Sequence, residues 1–567
     1  MKNTRKYLAL LLSLIMILSC SSIGFAETTD DATDIYVGAP DEDFTGKTII
    51  LHSNDVHGAI QGYALISYLR DDFLAKGASD VILVDAGDFS QGSTYVSSSK
   101  GASAVEMMNA AGYDIVTLGN HEFDFGYEQL LENLKQAEFA VLSCNVVLTG
   151  TDQTPFAAGS VYTLEESGLH IGFLGVETPE TATKVNPGLI KEIDFLASDN
   201  MYAAVQASAD AVREMGADLV IALTHLGIDQ ESAFSGSRST DLYARVTGID
   251  FMIDGHSHTV MDSGENGEPI QSTGSGFTYI GVIVIDNVTK SIEDHYLLST
   301  ADMGSDPEVA ALAQRIIDDV DARYGAVFAV SEVNLNGDKA PGNRTEETNL
   351  GDLIADALLW KVVSEGGDEQ FEPNQVICIT NGGGIRAPIV AGNVTMNDIH
   401  TVLPFGNTVA VIYVTGEELL EALEASTFCT PDSIGAYPQT SGIVWTLDTT
   451  KPYDAQDSLY AINGKESTYY GPKSINRVTI EYINGEPFDI NATYAVVTNN
   501  FCAAGGDTYA VFYRAYSEGS GFDTGIPMDE AVVEFVEEVL GGVIGQEYAE
   551  PQGRQTQILA DAINDAA

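Results

Sequence analysis

Positive charge is scarce in this chain: 26 lysines and arginines face 83 aspartates and glutamates, leaving a formal net charge of -57 over 567 residues. Nucleic-acid polymers and anionic membrane surfaces are held by basic patches, so this balance excludes both as partners. Small anions remain open as substrates, provided that a local cluster of cations or metal ions overrides the overall field. Cysteine is also scarce, with five in all. Cys144, Cys378, Cys429 and Cys502 lack the close spacing of a zinc knuckle or a disulfide framework, and three of them sit in or beside apolar runs, which predicts buried free thiols. Beyond the N-terminus no stretch reaches the roughly 20 apolar residues that span a bilayer. The chain ends at Ala567 without a hydrophobic tail, so no transmembrane segment is expected in the mature chain.

The N-terminus carries the compartment signal. Lys2, Arg5 and Lys6 precede an apolar run over residues 7–18, and Gly24-Phe25-Ala26 supplies small residues for cleavage, the pattern of a secretory signal peptide over residues 1–26. A membrane anchor would need a longer run. A rival cut before Cys20, in Ile17-Leu18-Ser19-Cys20, would leave an N-terminal lipid anchor, although Leu18 fits that pattern poorly. Either way the protein is expected to be secreted or extracellular at the cell surface.

A chain of this length exceeds one hydrophobic core, since cores stop growing at roughly 250 to 300 residues. With 44% hydrophobic residues, 19% charged residues and 55 glycines it reads as globular and loop-rich. Residues 27–45, acidic and without periodicity, form an expected flexible leader. A first domain follows over 46–303, in which apolar β-rich runs such as Thr48-Ile49-Ile50-Leu51, Val81-Ile82-Leu83-Val84 and Leu219-Val220-Ile221-Ala222 alternate with helical stretches. That alternation predicts an α/β layered fold with buried strands. Val309, Leu312, Ile316 and Val320 keep helical spacing after Asp306-Pro307, predicting a helical connector over 304–335. A second domain of different pattern occupies 336–560.

Chemistry concentrates in short polar clusters placed directly after the β-like runs, where α/β sheets bind ligands. They are Asn54-Asp55-Val56-His57-Gly58, Asp85-Ala86-Gly87-Asp88, Gly119-Asn120-His121-Glu122-Phe123-Asp124, Leu223-Thr224-His225 and Asp254-Gly255-His256-Ser257-His258. Carboxylate, imidazole and amide oxygen together suit zinc, manganese, iron or cobalt rather than calcium or copper. A lone histidine at a strand end is more often a structural hydrogen-bonder. Five clusters in one domain, with both residues of Asp-Xaa-His on one side of an extended segment, favour a metal centre instead.

In their spelling these clusters resemble the calcineurin-like metallophosphoesterase signature, and Asn-Asp-Val-His-Gly, Gly-Asn-His-Glu-Phe-Asp and Gly-His-Ser-His are similar to the 5'-nucleotidase and UDP-sugar hydrolase family. The similarity runs from about Thr48 to Leu559. It implies an N-terminal β-sandwich flanked by helices, a separate C-terminal α/β substrate-binding domain, and two divalent metal ions. Asp55, His57, Asp88 and His258 would surround one ion; Asp88, Asn120, His225 and His256 would surround the other. His258 departs from the amide side chain common in relatives. Two such cations roughly 3.5 to 4 Å apart lower the pKa of a shared water and stabilise an in-line displacement at phosphorus. The resemblance makes His121 the transition-state stabiliser and Asp124 its orienting partner; a purely structural pair beside the metals is the alternative.

In the second region Asn381-Gly382-Gly383-Gly384-Ile385-Arg386 follows the strand-like Val376-Ile377-Cys378-Ile379. Glycines let the backbone approach an anion and the guanidinium offers a fork of donors, though a glycine triplet alone reads as a turn. The resemblance implies that Arg344, Asn381 and Arg386 contact phosphate or ribose, that Phe405 and Phe501 sandwich the base, and that Asp507 binds ribose hydroxyls. Glycines and prolines around Phe405 and Phe501 predict loop positions, against the alternative of core packing.

The expected activity is that of a phosphoric ester hydrolase, a 5'-nucleotidase releasing phosphate from nucleoside 5'-phosphates with a metal-activated hydroxide as nucleophile. A 2',3'-cyclic-nucleotide phosphodiesterase with 3'-nucleotidase activity and a UDP-sugar hydrolase are the enzymatic alternatives. A non-catalytic surface adhesin on the same scaffold is the alternative outside catalysis.

Overall fold

The computed structural model describes residues 35–37, 42–185, 189–229, 232–233, 236–364, 371–462, 465–517 and 520–559. The expected signal peptide, its rival cut before Cys20 and most of the leader lie outside the described residues.

Two mixed sheets face each other in the N-terminal half. The seven-stranded sheet runs in the order Ile35–Val37, Ser291–Ser299, Tyr279–Asp286, Lys47–Ser53, Asp80–Asp85, Ile115–Thr117, Ala140–Leu142. The six-stranded sheet is centred on Leu219–His225, parallel to His170–Glu177 on one side and to Phe251–Asp254 on the other. Strand residues point alternately to opposite faces, and the apolar runs use both. Ile50, Ile82, Val84 and Ile283 meet Phe173, Ile221, Leu223 and Ile253 between the sheets. Ile49, Leu51, Leu83 and Val282, one residue out of step, face outwards under the helices Tyr63–Ala75, Ala102–Ala111 and Pro307–Tyr324. On the far side Leu174, Val176, Val220 and Ala222 pack on Met201, Val205, Ala209 and Val212 of helix Ser198–Glu214. Each such Leu, Ile or Val gains about 1.5 to 3 kcal/mol over leaving it in water, which is why these runs are continuous rather than alternating in polarity. The result is a β-sandwich with helices outside.

The helix Pro307–Tyr324 starts where the sequence places it: Asp306 accepts the backbone N–H groups of Glu308 and Val309 at 2.8 and 3.3 Å, with proline in the first turn. The chain then enters Val327–Ser331, which pairs antiparallel with Gly392–Thr395 and parallel with Val543–Ile544.

The C-terminal half is a separate α/β domain around a five-stranded sheet of order Pro438–Ser441, Val376–Asn381, Thr493–Asn499, Thr408–Thr415, Gly521–Pro527. Its central strands again feed two cores. Ile377, Ile379, Ile412 and Val496 pack with Trp445 and Phe512 on one face, while Cys378, Val411, Ala495 and Val497 pack under helix Asn349–Ser364 on the other. Cys144, Cys378 and Cys502 are buried free thiols, and Cys429 is partly exposed. Among the described residues no helix is long and apolar enough to cross a membrane.

Candidate active site

Five strand ends of the sandwich converge on one rim. Asp55 and His57 follow Lys47–Ser53, Asp88 follows Asp80–Asp85, Asn120 follows Ile115–Thr117, His225 closes Leu219–His225, and His256 and His258 follow Phe251–Asp254. Apart from His225, at the end of its strand, the segments carrying them are not extended. Asp55, His57, Asp88, His256 and His258 all adopt left-handed backbone, with φ of 50°, 46°, 63°, 79° and 56°. The sequence-based picture of Asp55 and His57 on one side of a strand is thereby corrected: the strand has ended, and a tight turn closed by Asp55 N–H on Gly87 O (2.9 Å) and His57 N–H on Asp88 O (3.1 Å) aims both side chains inwards. Such conformations cost on the order of 1 to 3 kcal/mol each and collect at functional sites. Close approach also fixes Gly119, where a Cβ would lie 2.3 Å from Asp88 Oδ1 and 2.8 Å from His225 Cε1.

Among the described residues three sets of side chains could hold metal ions: Asp55, His57 and His258; Asp88, His225 and His256; and His57, Asp88 and His121, each set having its donor atoms within 4.8 Å of one another. Asp88 Oδ2 lies 3.1 Å from His225 Nε2 and 3.7 Å from His57 Nε2, His258 Nε2 is 3.5 Å from Asp55 Oδ1, and the Nε2 atoms of His57 and His258 are 3.0 Å apart. Asn120 Oδ1 sits 2.9 Å from His256 Nδ1. The tautomers suit ligation. Ala86 O can only accept, so His225 donates through Nδ1 at 2.7 Å and turns Nε2 towards Asp88. Glu180 accepts from His256 Nε2 at 3.1 Å, leaving Nδ1 beside Asn120.

Electrostatics fit a cation at this rim. Asp55 and Asp88 are almost wholly buried. Burial, with Asp88 nearby, pushes Asp55 up to about 6. Burial also opposes ionisation of Asp88, but His225, His121 and His57 around it hold it well below the usual carboxylate range. His57 and His258 are driven down, chiefly by burial, and so stay neutral as ligands must be. His225 moves up despite burial because Asp88 and Asp55 attract positive charge, the compensation that a divalent ion supplies.

His121 stands at the edge of this cluster. Its Nδ1 donates to Asp124 Oδ2 at 2.6 Å, and its backbone N–H donates to Asp88 Oδ1 at 2.9 Å. Burial raises the Asp124 carboxyl while His121 pulls it back. Glu122, between them, was not singled out by sequence. It is 2% exposed and accepts the N–H groups of Asp88, Phe89, Ser90 and Gly119 at 2.8, 2.9, 2.9 and 2.6 Å, stitching two of the ligand loops together. Burial pushes it up to about 7, with Asp88 adding to the rise.

The second domain faces this rim across one cleft. Asp88, Asn120, His121, Asp124, His256 and His258 line one wall; Arg344, Asn381, Arg386, Phe405, Phe501 and Asp507 line the other. Asp55 and His225 beside them are wholly buried, and His57 is nearly so. Phe405, in the loop between Met396–Val402 and Thr408–Thr415, stacks on His121 with ring centroids 5.7 Å apart. Arg386 sits 5.7 Å from the centre of the same ring, pushed down to about 10 by burial and by neighbouring Arg344, yet still charged at neutral pH. Asn381 donates to Asp507 Oδ2 at 3.0 Å and accepts from Asn499 at 2.9 Å. Phe501 departs from its expected loop: it lies in the short helix Asn500–Ala503, 8% exposed within a core, because Asn499 caps that turn by accepting from Cys502 N–H at 2.8 Å. Sequence reasoning also passed over Lys184, Asp229, Lys339 and Asn407 in the cleft. Asp229, Lys339 and Asn407 were signalled only by position near the recognised motifs, and Lys184 by nothing in the residue order.

A sandwich whose strand ends gather carboxylates, imidazoles and an amide into a cation-binding rim is the architecture of a calcineurin-like phosphoesterase, and the family model of that description matches residues 48–260. The model of the 5'-nucleotidase C-terminal domain matches residues 327–514. The chain belongs to the 5'-nucleotidase family and is a phosphoric ester hydrolase. It is similar to the trifunctional nucleotide phosphoesterase protein YfkN of Bacillus subtilis, 30% identical over 531 residues, which cover 84% of this chain but 33% of that longer protein. It is similar to the snake venom 5'-nucleotidase of Crotalus adamanteus, 29% identical over 512 residues, 81% of each chain. The solved 5'-nucleotidase precursor of Thermus thermophilus superposes with a TM-score of 0.73 at 27% identity, covering 90% of this chain and 99% of that one.

Proposed function

We propose that this protein is a secreted or surface-attached 5'-nucleotidase that uses two divalent metal ions, zinc, manganese, cobalt or iron. The observation that carries the reading is the single cleft in which Phe405 and Arg386 of one domain meet His121 of the other. A base-stacking ring, a phosphate-binding guanidinium and the metal rim then stand around one nucleoside monophosphate. Asp55, His57, Asp88 and His258 would hold one ion and Asp88, Asn120, His225 and His256 the other, with the metallophosphoesterase domain spanning 46–303, the connector 304–335 and the substrate domain 336–560. Ions held there supply a water nucleophile at neutral pH and offset phosphate charge.

The side chains do the rest. Arg344 and Arg386 orient the phosphate, and the fork of Arg386 suits two of its oxygens. His121, with Nδ1 fixed on Asp124, presents Nε2 to the charge that develops at phosphorus. Phe405 and Phe501 grip the base, and Asn381 and Asp507 the ribose. Secretion is supported by the N-terminal sequence pattern and by the venom origin of the Crotalus relative; a lipid anchor at Cys20 would give surface attachment. A phosphate-release screen with AMP, 3'-AMP, 2',3'-cyclic AMP and UDP-glucose, repeated with several divalent ions, tests the proposal. AMP should be turned over fastest. Faster release from 3'-AMP or the cyclic nucleotide would reject it, and no turnover of any of the four would favour the adhesin alternative.

A further inference from the structure

Residues 177–184 form a bridge that none of the recognised motifs covers. At its near end Glu180, 1% exposed, accepts from His256 Nε2 at 3.1 Å. The following turn, Thr181–Lys184, is tied back by Thr181 Oγ1 to Glu177 and to Thr178 O. Its far end enters the other domain. Thr183 O accepts the Asp507 N–H at 2.6 Å. The Lys184 ammonium lies 3.4 Å from Asp507 Oδ1 and 5.9 Å above the Tyr469 ring. Gly435 packs on the other side, where a Cβ would stand 3.3 Å from Asp507 Oδ1 and 3.4 Å from Lys184 Nζ.

We infer that Lys184 is a specificity residue: acting from the metallophosphoesterase domain, it orients the Asp507 carboxylate that recognises the ribose diol. The inference rests on the reading of Asp507 as a nucleoside contact. Asp507 sits in a left-handed turn with φ of 51° and side chain 3% exposed, so its rotamer is set by its partners. Asn381 holds Oδ2 from its own domain; Lys184 and Thr183 hold Oδ1 and the backbone N–H from the opposite one. With the ammonium beside one oxygen and Asn381 on the other, the carboxylate is an oriented acceptor for two vicinal hydroxyls. In so enclosed a position the pair is screened far less than a surface ion pair. Discrimination for ribonucleotides is therefore complete only when residues 177–184 are docked, and the same residues steady His256 through Glu180.

Steady-state kinetics with AMP, 2',3'-dideoxy-AMP and 4-nitrophenyl phosphate, on wild type, Lys184→Met, Lys184→Arg, Asp507→Asn and the Lys184→Met/Asp507→Asn double variant, test this. Lys184→Met should raise KM for AMP by about tenfold, the equivalent of ~1.4 kcal/mol, with a much smaller effect on the two substrates that lack the diol. Lys184→Arg should recover most of the loss, and the double variant should be no worse on AMP than Asp507→Asn alone. Equal losses on all three substrates, or additive losses in the double variant, would overturn the inference. If Asp507→Asn abolishes the preference for AMP while Lys184→Met leaves it, the role of Lys184 fails and that of Asp507 stands. If the wild type shows no preference for AMP over dideoxy-AMP, the reading of Asp507 fails and the inference with it.

Discussion

His121 and Phe405, from opposite domains, stack with their ring centroids 5.7 Å apart and their planes 26° apart. The contact ties chemistry to recognition, because one ring is fixed by Asp124 at the metal rim and the other lies 5.7 Å from the Arg386 guanidinium.

Replacing His121 by alanine should lower kcat by about 10² to 10⁴, the range for losing a positioned acid or electrostatic stabiliser. Metal content should stay as in wild type. Asp124→Asn should give a smaller loss in the same parameter, and the double variant should be strongly non-additive, since without the ring the carboxylate orients nothing. Metal analysis alongside kinetics decides the matter: loss of an ion in His121→Ala makes it a ligand, an outcome its place beside His57 and Asp88 keeps sharp.

Phe405→Ala should weaken nucleotide binding by roughly 1 to 3 kcal/mol, the worth of one stacked base. Hydrolysis of an aryl phosphate should suffer far less. Phe501→Ala should show the same split together with a stability loss of about 3 to 5 kcal/mol, because its ring is built into a core. Equal damage to both substrates from Phe405→Ala would return that residue to a packing role.

Asp88 touches both histidine sets, so Asp88→Asn should remove most activity on every substrate at once, mainly through kcat. The variant should bind fewer metal ions per chain than wild type. Wild-type turnover with unchanged metal content would show that Asp88 does not bridge.

His52 offers a test of stability away from the cleft. It is wholly buried between the sheets, where its Nε2 meets Gln271 Oε1 at 2.6 Å, and burial drives it down to about 4. A histidine depressed in the folded state leaves stability intact above its unfolded pKa near 6.5. Between there and about 4 the unfolded chain takes up a proton that the folded chain refuses, so stability falls with pH by roughly 3 kcal/mol in all. Urea unfolding from pH 7 to 4.5 should show His52→Gln losing markedly less than wild type over that range. Parallel pH dependences would mean that His52 is not the group responsible.

Much of this arrangement was legible in the chain. Continuous apolar runs such as residues 48–51 could only be strands buried on both faces, and Asp306-Pro307 marked its helix start because capping is local chemistry. The polar clusters fell at strand ends for an equally local reason: a run that stops being apolar has left the core. What residue order could not give was direction. Asp55 and His57 converge because their backbones turn left-handed after the strand, a choice made by contacts with Gly87 and Asp88 far along the chain. Phe501 looked like a loop residue and became part of a helical turn and a core once Asn499 capped it. Glu122 stood inside a recognised cluster with no role assigned to it, and Lys184 stood in none. A carboxylate that collects four backbone N–H groups, or an ammonium that crosses to another domain's aspartate, owes its role to neighbours that only the closed tertiary structure brings within hydrogen-bonding and Coulombic reach.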